Sequence, residues 1–191
     1  MLPSLSPHFR KQLSDVLSDN EPVKWPDTFI NKSSRHTYKP HNELEEKWVY
    51  DDKPRFILIK GGEGSGKSVA LSIKTLHKLR RGMSGVLVSP NLPHFKRSLF
   101  PEFLRWLPED VVIEEHRKIF HPSWSPWTSF DIVVHNEIGG YSTLTCVGAD
   151  NPVMLEGPNL NFAALDEIRG MPNDEIIKVL TGRIRITGPN G

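Results

Sequence analysis

Apolar positions along the chain change rhythm several times, and each change predicts an element. Residues 1–50 carry no sustained pattern: Pro, Ser and charge dominate, with short helices expected at 7–18 and 41–49 joined by Pro-punctuated loops. "RFILI" (55–59) then runs apolar with β-branched residues, as a strand buried on both faces of a parallel sheet would. "SVALSIKTLHKLRRG" places Val69, Ile73 and Leu76 on one helical face, with Gly82 as its stop. "SGVLVSP" is a second short strand halted by Pro90. "HFKRSLFPEFLRWLPED" predicts one or two amphipathic helices, with Pro101 suited to a first turn. "FDIVVHNEIGGYSTLTCVGAD" reads as a hairpin split by Gly139 and Gly140, "NFAALDE" as a buried strand ending in acids, and "NDEIIKVLTGRI" as a last helix. Strands alternating with helices predict an α/β fold with a mostly parallel sheet. The division expected is a helical and loop extension over 1–50 and one three-layer P-loop NTPase domain over 51–191.

The junction between the first apolar run and the first helix carries the clearest chemistry. "GGEGSGKS", comprising Gly61, Gly62, Glu63, Gly64, Ser65, Gly66, Lys67 and Ser68, fits the G-x-x-x-x-G-K-[ST] pattern between a strand and a helix. Its glycines let the backbone turn tightly enough to aim several N–H groups inward, and the helix dipole adds positive potential. Lys67 supplies a compact charge for the outer phosphates, and the Ser68 hydroxyl is a hard oxygen ligand for Mg²⁺. The second half of an ATP and Mg²⁺ site should then be a carboxylate at the end of another buried strand. "LNFAALDEIRG" provides it: Asp166 to hold Mg²⁺ and Glu167 to orient and polarise an attacking water. Metabolite phosphorylation would not need that adjacent glutamate, so the reaction predicted is ATP hydrolysis.

Composition narrows the setting. With 191 residues, 37% of them apolar, the chain suffices for one packed domain but not two substantial ones. A single cysteine, Cys146, excludes an internal disulfide, fits a reducing compartment and is expected in the core. No stretch has the apolar length of a secretory leader core or a membrane helix, so a soluble intracellular protein is expected. A net charge of +1 does not by itself advertise a nucleic-acid partner.

Beyond these motifs, the chain resembles the ATPase domain of viral large terminase subunits, motors that pump double-stranded DNA into procapsids. "YKPHNELEEKWVYDDKPRFILIKGGEGSGKS" is similar to that family's entry segment and Walker A loop. "VLVSPNLPHFKRSLFPEFLRWLPED" is similar to its next strand and helix. "NEIGGYSTLTCVGADNPVMLEGPNLNFAALDE" follows the family's order of glycine hairpin, Gly-x-Asp-x-Pro turn, glycine (Gly157) and Walker B acids. The resemblance implies an ASCE-type, RecA-like domain working as a homo-oligomeric ring on a portal protein in the host cytoplasm. Double-stranded DNA and a small terminase subunit would be its partners, and no membrane is involved.

Three departures accompany the resemblance. The glutamine that reads adenine in many members is absent, with Leu44 at its place, which leaves Trp48 or Tyr38 to stack on the base. Glu63 and Glu156 occupy positions where members carry an arginine. Arg169, Arg183 and Arg185 are then the candidates for an arginine finger. The family also places a polar sensor strand between the two motif-bearing strands and a nuclease domain after it. Neither is expected within Met1–Gly191, so the domain looks truncated before the sensor strand. Two rival functions follow: a helicase-like ATPase that remodels nucleic acid, or a nucleotide-binding remnant without turnover.

The remaining conspicuous residues read as structural. Lys78, Arg80 and Arg81 complement a helix C-terminus, and Lys96, Arg97 and Arg105 form a solvated face. His116 and His121 in "HRKIFHPSWSPW" lack the spacing and third ligand of a metal site, so a Pro/Trp loop packed on the sheet is expected.

Overall fold

A computed structural model describes residues 23–51, 57–62, 64–126, 128–150, 160–172 and 174–184. The expected helix at 7–18, Glu63, Glu156, Gly157 and Arg185 lie outside them. Five helices are described: α1 (Glu43–Tyr50), α2 (Lys67–Arg80), α3 (Leu92–Arg97), α4 (Leu99–Trp106) and α5 (Glu175–Arg183). Four strands, β1 (Gly85–Ser89), β2 (Phe130–His135), β3 (Tyr141–Gly148) and β4 (Phe162–Leu165), form one sheet in the order β2–β3–β1–β4.

The apolar run of β1 is buried at every position because β1 is the inner parallel strand. Leu87 lies in register between Cys146 of β3 and Ala164 of β4, and Val88 between Val147 and Leu165. β2 pairs antiparallel with β3, as the two-glycine turn predicts. In that turn Gly139 takes φ 85°, and the Asn136 carboxamide oxygen accepts from the N–H groups of Ile138 and Gly140 at 3.2 and 2.9 Å.

The two sheet faces carry separate cores, giving the three layers. On one face Leu87, Leu144, Cys146 and Ala164 meet Ile73, Leu76 and Leu79 of α2 and Leu99 and Phe103 of α4. Trp25, Phe29 and Tyr38 from the N-terminal extension belong to this same core. On the other face Val86, Val88, Val147 and Leu160 meet Ile176 and Leu180 of α5. Gly85 allows β1 and β4 to close, since a Cβ there would sit 2.6 Å from both the ring and the carbonyl oxygen of Phe162.

The α2 C-terminus is tied to the hairpin rather than presented to solvent. Gly82 at φ 84° donates to Leu79 and Met83 to Lys78, the paired bonds of a glycine-stopped helix. Ser142 Oγ donates to the Leu79 carbonyl at 2.7 Å, Glu137 N–H to the Arg80 carbonyl at 2.9 Å, and Arg80 Nε pairs with Glu137 at 2.6 Å. Arg80 is thus structural, as expected. Trp124 packs between Phe100 and Phe130, so the Pro/Trp loop lies on the sheet as expected, entered by a 3₁₀ turn over Glu114–Phe120. Cys146 is fully buried, which pushes its thiol well up.

One expected element differs. In "RFILI", residues 55 and 56 lie outside the described set, and Ile57–Ile59 form no ladder, with Leu58 80% exposed. An apolar strand needs a neighbour to accept its N–H and C=O groups. Among the described residues no strand lies beside Ile57–Ile59; the strand that the resemblance places between the two motifs is not among them.

Candidate active site

The phosphate-loop residues reach α2 through two left-handed glycines, Gly64 at φ 72° and Gly66 at φ 79°, the latter capping the helix. Only a residue without Cβ takes these angles freely, which is how the loop turns directly into the helix. Lys67 and Ser68 therefore stand at the first two helical positions. The Lys67 ammonium donates to the carbonyls of Gly61 at 3.0 Å and Gly62 at 2.6 Å, and to Ser65 Oγ at 3.2 Å. The cation is held over its own loop, where a phosphate oxygen would compete for it.

A neighbour missed in the sequence stands against this loop. A Cβ on Gly66 would lie 3.1 Å from His41 Cε1. His41 is fixed by Glu45, whose Oε2 meets His41 Nδ1 at 2.8 Å and accepts from the His41 N–H at 2.9 Å. Tyr38 donates its hydroxyl to Glu45 Oε1 at 2.9 Å. Burial alone would raise Glu45, but these three donors outweigh it and hold the carboxyl below its usual range. The signal available in the sequence was the Tyr38–His41–Glu45 spacing at the α1 N-terminus, which Asn42 caps. The expectation that Tyr38 stacks on a base is corrected. The residue is 8% exposed, its ring is edge-on to Trp106 at 6.0 Å, and its hydroxyl is committed to Glu45. Trp48 packs against the main core.

Asp166 follows β4, and its N–H donates to the Val88 carbonyl at 2.9 Å, extending the β1–β4 pairing. The residue is 6% exposed and its Oδ2 is buried without a hydrogen-bond partner. Burial first, and the nearby Glu167 charge second, push its carboxyl above the usual range. His94, the Glu167 N–H and Lys67 oppose that rise. Lys67, which begins α2, is thus one of the charges that act on the Asp166 carboxyl.

Glu167 is exposed and occupies the left-handed region at φ 49°, ψ 49°, opening the 3₁₀ turn Ile168–Gly170. A non-glycine residue pays on the order of 1–3 kcal/mol for that conformation, a strain that recurs at functional sites. Arg169, in the same turn, and Arg183, ending α5, are both exposed. Ser89 at the end of β1 and His94 of α3 also have buried polar atoms without partners near Asp166, and pattern alone did not single them out.

No protein-family model matches the chain, and no curated protein does. Among solved structures it is similar to the large terminase ATPase domain of Thermus phage P74-26, with TM-score 0.46 and 21% identity over 64% of this chain and 53% of that one. A variant of the same domain gives TM-score 0.42 and 22% identity over the same shares. The chain thus spans about half the length of these structures, 53%.

Proposed function

We propose that the chain is the ATPase of a viral DNA-packaging motor, hydrolysing ATP with Mg²⁺ to drive double-stranded DNA into a procapsid. The observation that carries this reading is the buried carboxylate oxygen of Asp166, left without a hydrogen-bond partner beyond β4, in a chain whose glycine loop runs into a helix beginning at Lys67. The residues present fit a divalent cation: Asp166 Oδ2 is a buried acceptor without a partner, a hard oxygen of the type Mg²⁺ takes. Ser68 and Asp166 would hold that ion, which supplies neutralisation of charge on the phosphates. The glycine-rich backbone and Lys67 orient the phosphate chain. Glu167 holds and polarises the attacking water. Arg169, Arg183 and Arg185 remain the finger candidates, within a subunit or across a ring.

Double-stranded DNA, a portal protein, a small terminase subunit and a ring of copies in the host cytoplasm come from the resemblance in motif order. The test is phosphate release by the purified chain with Mg²⁺ and ATP, alone and with duplex or single-stranded DNA. Duplex-stimulated release abolished by Lys67→Ala supports the packaging reading. Preferential stimulation by single strands favours a remodelling ATPase, and binding without release favours an inactive nucleotide module.

A further inference from the structure

Three buried polar atoms without hydrogen-bond partners belong to the carboxyl ends of β1 and β4 and to the helix after β1: Ser89 Oγ, His94 Nε2 and Asp166 Oδ2. Leaving such a group unsatisfied costs on the order of 1–3 kcal/mol, so several at one sheet end mark a place where something binds.

Register explains why they share a face. Val88 pairs with Leu165, and the bond from the Asp166 N–H to the Val88 carbonyl carries the pairing one step on, to Ser89 and Asp166. Successive side chains alternate across a sheet. Val88 and Leu165 face α5, so Ser89 and Asp166 face the opposite side, that of Leu87, Ala164 and α2. His94 reaches this side from α3. That helix starts unusually close to the sheet: a Cβ on Gly148, at the end of β3, would lie 2.8 Å from the Leu92 nitrogen. Asn91 caps α3 by accepting from the His94 N–H at 2.8 Å, and Phe95 anchors the helix in the main core.

Ser89 and His94 can both donate, whereas an ionised Asp166 only accepts. A polyphosphate lying along the Gly61–Ser68 loop, with its metal at Ser68 and Asp166, would bring its outer end to these donors. We propose that His94, assisted by Ser89, senses the terminal phosphate and so distinguishes a nucleoside triphosphate from the diphosphate. This rests on the nucleotide-site reading above.

The test is calorimetric binding of the Mg²⁺ complexes of ADP and of a non-hydrolysable ATP analogue to the full chain and its variants. His94→Ala should weaken the triphosphate analogue about tenfold, the scale of one hydrogen bond to a charged group, while ADP affinity stays put. His94→Gln, which keeps a donor at similar reach, should restore most of the loss. Should His94→Ala fail to fold, Ser89→Ala provides the same test, with a smaller loss confined to the triphosphate. Equal weakening of both nucleotides, or no change, overturns the sensor. No binding of either nucleotide by the wild-type chain overturns the nucleotide site itself, and the sensor with it.

Discussion

The Asp166 amide donates to the Val88 carbonyl at 2.9 Å, one step past the last paired residues of β1 and β4. That single bond fixes Asp166 at the carboxyl end of β4, with its carboxylate oxygen Oδ2 closed off from water. The site's chemistry and its instability have the same origin there.

Replacing Asp166 by Asn keeps the shape and removes the charge that burial disfavours. In metal-free buffer near neutral pH, Asp166→Asn should stabilise the fold by about 1 kcal/mol, a rise of a few degrees in melting temperature. Mg²⁺-dependent turnover should fall by roughly 100-fold or more. Thermal melts alongside phosphate release check both halves; a lowered melting temperature would count against a buried unpaired charge.

Gly66 combines a left-handed φ of 79° with His41 Cε1 only 3.1 Å from where a Cβ would stand. Gly66→Ala should destabilise by about 1–2 kcal/mol and impair nucleotide binding. Gly62→Ala meets no atom within 4 Å and should leave the melting temperature unchanged. Gly64→Ala, also left-handed at φ 72° but with no atom within 4 Å, separates loop conformation from mere crowding when its melting is compared with that of Gly66→Ala.

Gly85→Ala acts in the sheet itself. Its Cβ would press 2.6 Å from the Phe162 carbonyl oxygen, which cannot move without opening β1 from β4. A loss of about 1–3 kcal/mol is expected, with faster amide exchange at Val88 and Asp166.

Glu45 sets a pH dependence. Its folded-state carboxyl is held below the usual range, so the unfolded chain binds its proton more readily. The stability it contributes is present above the ordinary carboxyl range, near pH 4, and is lost as pH falls through the lower folded value. Glu45→Gln should therefore melt below wild type at neutral pH, and the gap should close under acid. A gap that persists unchanged at low pH would contradict the network of Tyr38, His41 and Glu45.

Much of this was readable from local pattern. The β1 run, the two-glycine hairpin, the Asp-terminated β4 and the glycine-stopped α2 each carry their signal within a few residues. The buried Tyr38 was not readable, because its fate depends on Trp106, far along the chain. His94 and Ser89 matter through the β1–β4 register and the close approach at Gly148, relationships that no short window contains. Ile57–Ile59 show the converse limit: an apolar run states a preference for burial, and only a neighbouring strand can satisfy it.

The most direct test of the central claim is single-turnover phosphate release from Mg²⁺-bound ATP by the wild-type chain and Glu167→Gln. Wild type should release phosphate only when Mg²⁺ is present. The variant should bind ATP comparably yet release phosphate at least about 100-fold more slowly, as a residue acting on the attacking water would. Equal release by both proteins would contradict the role of Glu167, and no nucleotide bound by either would contradict the ATPase itself.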